Sequence, residues 1–201
     1  MNMTTTKKLT VVTPASWIPG PEQGRWTYAD YTTIVEDGHY EVVDGVLYLS
    51  PAPSWDHQSI ILEIVIHLHR WVQIRGLGRV CMAPLDIELS YANIVQPDVF
   101  IVLNKHLDRI TSSHVIGTPD LVIEVASPAT TRHDFREKQR AYACAGVPEY
   151  WIVNPNAHTV ELLLLEGNSY RSPGLFFGDA VLPSIVIPGI PVQAGQFFAT
   201  V

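Results

Sequence analysis

"QPDVFIVL" (residues 96–103) and "PDLVIEVASP" (residues 119–128) are two apolar runs that carry acids: Asp98 in the first, Asp120 and Glu124 in the second. The Val, Ile, Leu and Phe around these acids read as buried strands, where an unpaired carboxylate carries a heavy desolvation cost. Strand alternation puts Asp120, Val122 and Glu124 on one face and Leu121, Ile123 and Val125 on the other. Asp120 and Glu124 are then about 13 Å apart, four residues at roughly 3.3 Å each. A single cation holds its oxygen ligands at about 2–2.6 Å and cannot bridge that gap. Glu124 therefore takes its partner from a neighbouring strand about 4.8 Å away, where Asp98 is the natural candidate. Asp120, following Pro119, reads as a turn residue.

The segment "TRHDFREKQRAYACAG" (131–146) has helical spacing. Phe135, Lys138, Ala141, Tyr142 and Ala145 make one stripe, so Lys138 lies on or beside the face that packs on the sheet. Its ammonium either snorkels to water or reaches Glu124 or a bound phosphate. Arg132, Arg136 and Arg140 form a separate, solvated stripe.

Outward from these elements the chain reads as one α/β (α+β) domain, a central mixed β-sheet flanked by helices. Residues 1–24, rich in Thr and Pro, predict a flexible N-terminal arm, and residues 25–201 a single domain. Thr27 is placed to cap a short helix in "TYADYTTIVED". "HYEVVDGVLYLS" (39–50) signals a hairpin around Asp44-Gly45. "SWDHQSIILEIVIHLHRWVQIRGLG" (54–78) predicts a long helix capped by Ser54 or Asp56 and closed by Gly76 and Gly78. Its part over 58–73 looks buried on more than one side. Strands are expected near 79–83, near 84–90 and over "EYWIVNP", "HTVELLLLE" and "SYRSPG". Pro183, Pro188 and Pro191 keep the tail's strands short or on an edge.

Composition narrows the function classes. The chain has 201 residues, 47% of them hydrophobic, and a net charge of −7. That balance excludes coating nucleic acid by charge alone, but not a nuclease in which a metal supplies positive charge locally. Cys81 and Cys144 sit in no cluster and read as buried free thiols of a cytoplasmic protein. No stretch resembles a signal peptide or a membrane span. His67 and His69 point apart on a helix. His57, beside Asp56 near a helix start, reads as a packing or capping residue, with an approach to the site as the alternative; Ser127 reads as part of a helix-entry turn rather than a nucleophile, and Trp151 as a core aromatic, with base stacking as the alternative.

Pro97-Asp98, then Glu124-Val125-Ala126 closing an apolar strand before a helix, resembles the PD-(D/E)XK nuclease superfamily. More narrowly, "YEVVDGVLYLSPAPSWDHQ" (40–58), "APLDIELSYANIVQPDVFIV" (83–102) and "PDLVIEVASPATTRHDFREKQRAYACAGVPEYWIV" (119–153) resemble the Uma family of restriction-endonuclease-like bacterial proteins. The resemblance implies a restriction-endonuclease-like core, with Mg²⁺ or Mn²⁺ held by Asp98, Glu124, Glu41 and the backbone carbonyl of Val125. It implies Asp98, Glu124, Glu41 and Lys138 as the catalytic set, and DNA as the substrate. The chain departs from the superfamily at Ala126, where a lysine is usual, and Lys138 on the next helix stands in for it.

A homodimer is expected, because cutting both strands is simplest with two-fold symmetry. Structural alternatives accompany each acid: Glu41 as an exposed hairpin residue, Asp98 as a turn cap, Glu124 as a partner of Arg or Lys. The alternative for the whole protein is a catalytically inactive nuclease fold kept for binding or dimerisation.

Overall fold

The computed structural model describes residues 11–127 and 132–199, without the side chains of 132–134. Its strands are β1 (Thr13–Pro14), β2 (His39–Val43), β3 (Val46–Ser50), β4 (Gly78–Met82), β5 (Ile87–Ser90), β6 (Asn93–Val95), β7 (Val99–Leu103), β8 (Val115–Ile116), β9 (Leu121–Val125), β10 (Glu149–Asn154), β11 (Thr159–Glu166) and β12 (Ser169–Phe177). Its helices are α1 (Tyr28–Tyr31), α2 (Trp55–Leu68) and α3 (Arg132–Ala145).

The α+β class holds, but the strands form two mixed sheets where the sequence reading expects one. The first runs β1-β3-β2-β6-β5-β8 and the second β12-β11-β10-β9-β7-β4. The chain passes between them at prolines. Ala83-Pro84 separates β4 from β5, and Gln96-Pro97-Asp98 separates β6 from β7. Proline has no N–H to give to a ladder, so each of these strands ends there and the chain turns to the other sheet. Short strands of two to four residues at these crossings carry too little periodicity to be read in advance.

The alternation read in "PDLVIEV" is realised. Leu121, Ile123 and Val125 join Ile60, Ile64 and Leu68 of α2, while Val122 joins Phe100, Tyr142 and Tyr150 on the opposite face. Each of these Ile and Leu side chains, almost fully removed from water, stabilises by about 1.5–3 kcal/mol. Trp151 is fully buried in the first of these clusters, as a core aromatic. The hairpin turn is the expected one: Asp44 (φ 50°) and Gly45 (φ 73°) both take positive φ, as a two-residue I′ connection requires. Thr27 and Ser54 cap α1 and α2, and Gly146 (φ 87°) follows α3.

Several expectations need correction. The described part of the expected arm, residues 11–24, is packed: β1 pairs with β3, and Ala15 and Ile18 are buried beside Trp26. These few apolar side chains outweigh the local Thr/Pro composition. The long helix ends as α-helix at Leu68 and continues as a π-helical turn over His69–Gln73. It is not buried on two sides, because Leu62 and Ile66 are 56% and 51% exposed. Of the two thiols, Cys81 is half-buried and its pKa is raised by burial, but Cys144 is exposed on the outer face of α3. Arg136 and Arg140 are solvent-exposed as expected, Arg140 pairing with Asp44. The side chain of Arg132 and the turn beyond Ser127 lie outside the described residues. No helix among the described residues is long and apolar enough to cross a membrane.

Candidate active site

The two crossings place a cleft of about 480 Å³ at the junction of the sheets. Glu41, Asp98, Glu124 and Lys138 all line it, each delivered by a different part of the chain. Glu41 lies on β2, where alternation buries Tyr40 and Val42 in one cluster and turns Glu41 the opposite way. Asp98 stands at the crossing itself, one residue before β7. Glu124 is the fourth residue of β9, on the face turned toward α3, and Lys138 comes down from that helix.

Every acid is answered. Lys138 Nζ lies 2.8 Å from Glu124 Oε1 and 2.9 Å from Glu41 Oε1. Tyr142, one turn further along α3, donates its hydroxyl to the same Glu124 oxygen at 2.7 Å. Glu41 Oε1 also accepts the Gln96 N–H at 2.6 Å. Asp98 Oδ2 accepts the Val125 N–H at 2.7 Å, and Asp98 Oδ1 faces His57 Nε2 at 3.0 Å. Thus Lys138 does not snorkel away; its side chain is only 16% exposed and bridges two carboxylates.

The electrostatics follow from Glu41, Asp98 and Glu124 gathered around Lys138 in a half-dry cleft. Burial pushes the Glu124 carboxyl up to about 7; Lys138 pulls it down, and the charges of Asp98 and Glu41 raise it further. Burial works against the Lys138 ammonium, but Glu124 and Glu41 outweigh it and hold its pKa above the usual lysine value. Burial likewise lowers His57, and the hydrogen bond and charge of Asp98 reverse the sign, leaving it raised. The local excess of negative charge is what a bound cation relieves.

The donor set suits a hard divalent ion, which prefers carboxylate and carbonyl oxygens. As the side chains stand, no three His, Cys, Asp or Glu groups among the described residues converge on one point. Lys138 occupies the position between the two glutamates, so an ion would have to be met by rotation of Glu41 and Glu124 about their side-chain bonds.

His57 is the residue the sequence reading misplaces. Ser54 is the cap, its hydroxyl accepting the His57 backbone N–H at 3.2 Å, and the His57 ring belongs to the site. Ser54, His57, Gln58 and Ile61 form the helical face that lines the cleft. The available signal was Asp98 itself, an acid needing a donor, with a histidine in the first turn of the preceding helix. Asp120 stays out, at the far end of β9. It is no simple turn residue, being 2% exposed and accepting from the Leu103 N–H at 2.8 Å, with His106 Nδ1 at 2.9 Å. Ala126 donates its N–H to the Val153 carbonyl.

The family described as "Uma2: Putative restriction endonuclease" matches residues 27–194. The chain belongs to that family. Among solved structures it is similar to a "putative nuclease belonging to DUF820" from Anabaena variabilis ATCC 29413, with a TM-score of 0.73. The identity is 18%, over 86% of this chain and 97% of the other, a likeness of fold. No curated protein matches the sequence.

Proposed function

We propose that this protein is a divalent-metal-dependent endonuclease that hydrolyses DNA phosphodiester bonds at the cleft between its sheets. One observation carries the reading: three carboxylates and a lysine, from four separate segments, meet at one opening to solvent. A fold that needed these acids only for packing would use apolar side chains at less cost. Asp98, Glu124, Glu41 and the Val125 carbonyl are the proposed ligands of Mg²⁺, with Mn²⁺ as a substitute. Such an ion, when bound, supplies Lewis acidity and an activated water.

The chain's own groups do the rest. Lys138 places positive charge beside the scissile phosphate and orients the attacking water. Tyr142 fixes the Glu124 oxygen that Lys138 also holds, and the Val125 N–H and His57 fix both oxygens of Asp98. The working unit is proposed to be a cytoplasmic homodimer of single-domain subunits, which sedimentation of the purified protein checks. Nicking of supercoiled plasmid with Mg²⁺ or Mn²⁺, abolished by EDTA, is the direct test of the function.

One observation favours a second reading, an inactive nuclease fold that serves in binding. The Glu41–Lys138–Glu124 bridge satisfies two of the acids without any metal ion. Folded protein that binds DNA but stays inert with both metals would establish it.

A further inference from the structure

Away from the cleft, the outer side of α2 carries a row of apolar side chains open to solvent. Residues seven apart come round to nearly the same side of an α-helix, and residues four apart stay close to it. Trp55, Leu62 and Ile66 therefore share one stripe, and they are 80%, 56% and 51% exposed. Ile74, just beyond the π-helical turn, is 70% exposed. The opposite side, with Ile60, Ile64 and Leu68, is the one packed in the core. Single exposed apolar residues are ordinary, but a row of them along one helix marks a surface that meets a partner.

The charges beside the stripe indicate which partner. Asp56, Glu63 and Arg70 follow one another at seven-residue spacing along one flank of the row. The first half of the rod is thus acidic, and the second, with Arg70 and Arg75, is basic. Among the described residues neither Glu63 nor Arg70 takes part in an ion pair. Such a pattern is complementary to itself. A second copy laid antiparallel, about a two-fold axis at the level of Ile64, sets Leu62 of each chain against Ile66 of the other. At about 1.5 Å per residue, Arg70 of the second copy then falls between Asp56 and Glu63, about 3 Å along the pair from one and about 7.5 Å from the other. Trp55 comes level with Gln73 and Ile74 of the second copy. The opposed helix dipoles favour the same arrangement. A parallel pairing would set acid against acid and arginine against arginine.

We propose that the outer face of α2 is the interface between two copies of this chain, paired antiparallel about a two-fold axis. This rests on the homodimer of the proposed function and names its surface. The interface is isologous, so each contact occurs twice. His57 lines the cleft from the same helix, so the two clefts lie toward opposite ends of the pair, with their His57 residues about 21 Å apart along it.

Sedimentation equilibrium of wild type and of variants on this face tests the proposal. Wild type is expected to be a dimer. Leu62→Lys combined with Ile66→Lys sets ammonium groups into the apolar seam and is expected to raise the dimer Kd at least about 100-fold. Glu63→Arg and Arg70→Glu each bring like charges together and are expected to raise it about tenfold. Mixed in equal amounts, the Glu63→Arg and Arg70→Glu proteins regain complementary flanks and are expected to associate about tenfold more tightly than either alone. Misfolding does not give that rescue, and circular dichroism checks that each variant keeps its helices.

A wild-type dimer that none of these substitutions weakens leaves the homodimer standing and overturns its placement on α2. A mixture that associates no more tightly than either variant alone overturns the antiparallel pairing. A wild type that stays monomeric overturns both the surface and the homodimer. DNA cleavage is read separately, so none of these outcomes stands in for a failure of the nuclease reading.

Discussion

His57 Nε2 stands 3.0 Å from Asp98 Oδ1, and the Val125 N–H holds the other Asp98 oxygen at 2.7 Å. One side chain from α2 and one backbone group from β9 thus fix the carboxylate at the sheet crossing. His57→Ala is expected to lower Mn²⁺ affinity and turnover by about 10–100-fold, the usual effect of losing a partner that orients a ligand. Calorimetric titration with Mn²⁺ reads the affinity. An unchanged affinity would make His57 a packing residue after all.

Glu124 makes the metal-free protein pH-sensitive. Its carboxyl titrates near 7 in the folded protein against an ordinary 4.5. The folded state therefore holds a proton that the unfolded chain has already lost. The stabilisation linked to that proton is complete below about pH 4.5 and disappears as pH rises through 7. A shift of this size is worth about 3 kcal/mol at 1.36 kcal/mol per unit. Denaturation of chelator-treated protein should show wild type losing stability relative to Glu124→Gln between pH 4.5 and 7. Parallel profiles would mean that Glu124 is not the strained acid.

Lys138 is the counter-charge of the same pair of glutamates. Lys138→Met leaves two buried carboxylates facing each other, and removing one partner of a buried pair costs about 3–5 kcal/mol. Its melting temperature without metal should fall, and Mg²⁺ should restore more stability to the variant than it adds to wild type. Turnover should be lost even with the stability restored. A variant that stays active would make Lys138 purely structural.

The residues that proved legible are those whose environment forces a choice. Glu124 and Asp98 sit in apolar runs, so each announced an unmet need. Lys138 stood on the packing stripe of its helix, and the structure joins it to Glu124 and Glu41. His57 was hidden, because a polar residue in the first turn of a helix has an ordinary explanation as a cap. The second sheet was hidden too, since β1, β6 and β8 are two or three residues long and hold their places through long-range pairing. Periodicity says nothing at that length. Cys144 was misjudged because cysteine is usually buried, while its place on α3 turns outward.

A second buried acid, besides Asp120, lies outside the cleft. Glu149, fully buried, accepts from Trp151 Nε1 at 2.5 Å, Ser184 Oγ at 3.1 Å, and the N–H groups of Ile185 and Val186 at 2.8 and 3.0 Å. It pins the C-terminal tail to β10. Glu149→Ala strands these donors, at about 1–3 kcal/mol for each buried group left unsatisfied. Urea denaturation should show a loss of at least about 3 kcal/mol, with Mn²⁺ affinity unchanged in the protein that remains folded. A loss under about 1 kcal/mol would show that water replaces the carboxylate.

The central claim is that the acids meeting at the crossing work a cation for phosphodiester hydrolysis. Its most direct measurement is DNA cleavage by wild type and Asp98→Ala, side by side, in Mg²⁺, Mn²⁺ and EDTA, with circular dichroism confirming that both are folded. The account predicts metal-dependent cleavage by wild type that disappears in Asp98→Ala and in EDTA. Equal cleavage by the two proteins, or cleavage that survives EDTA, would contradict it.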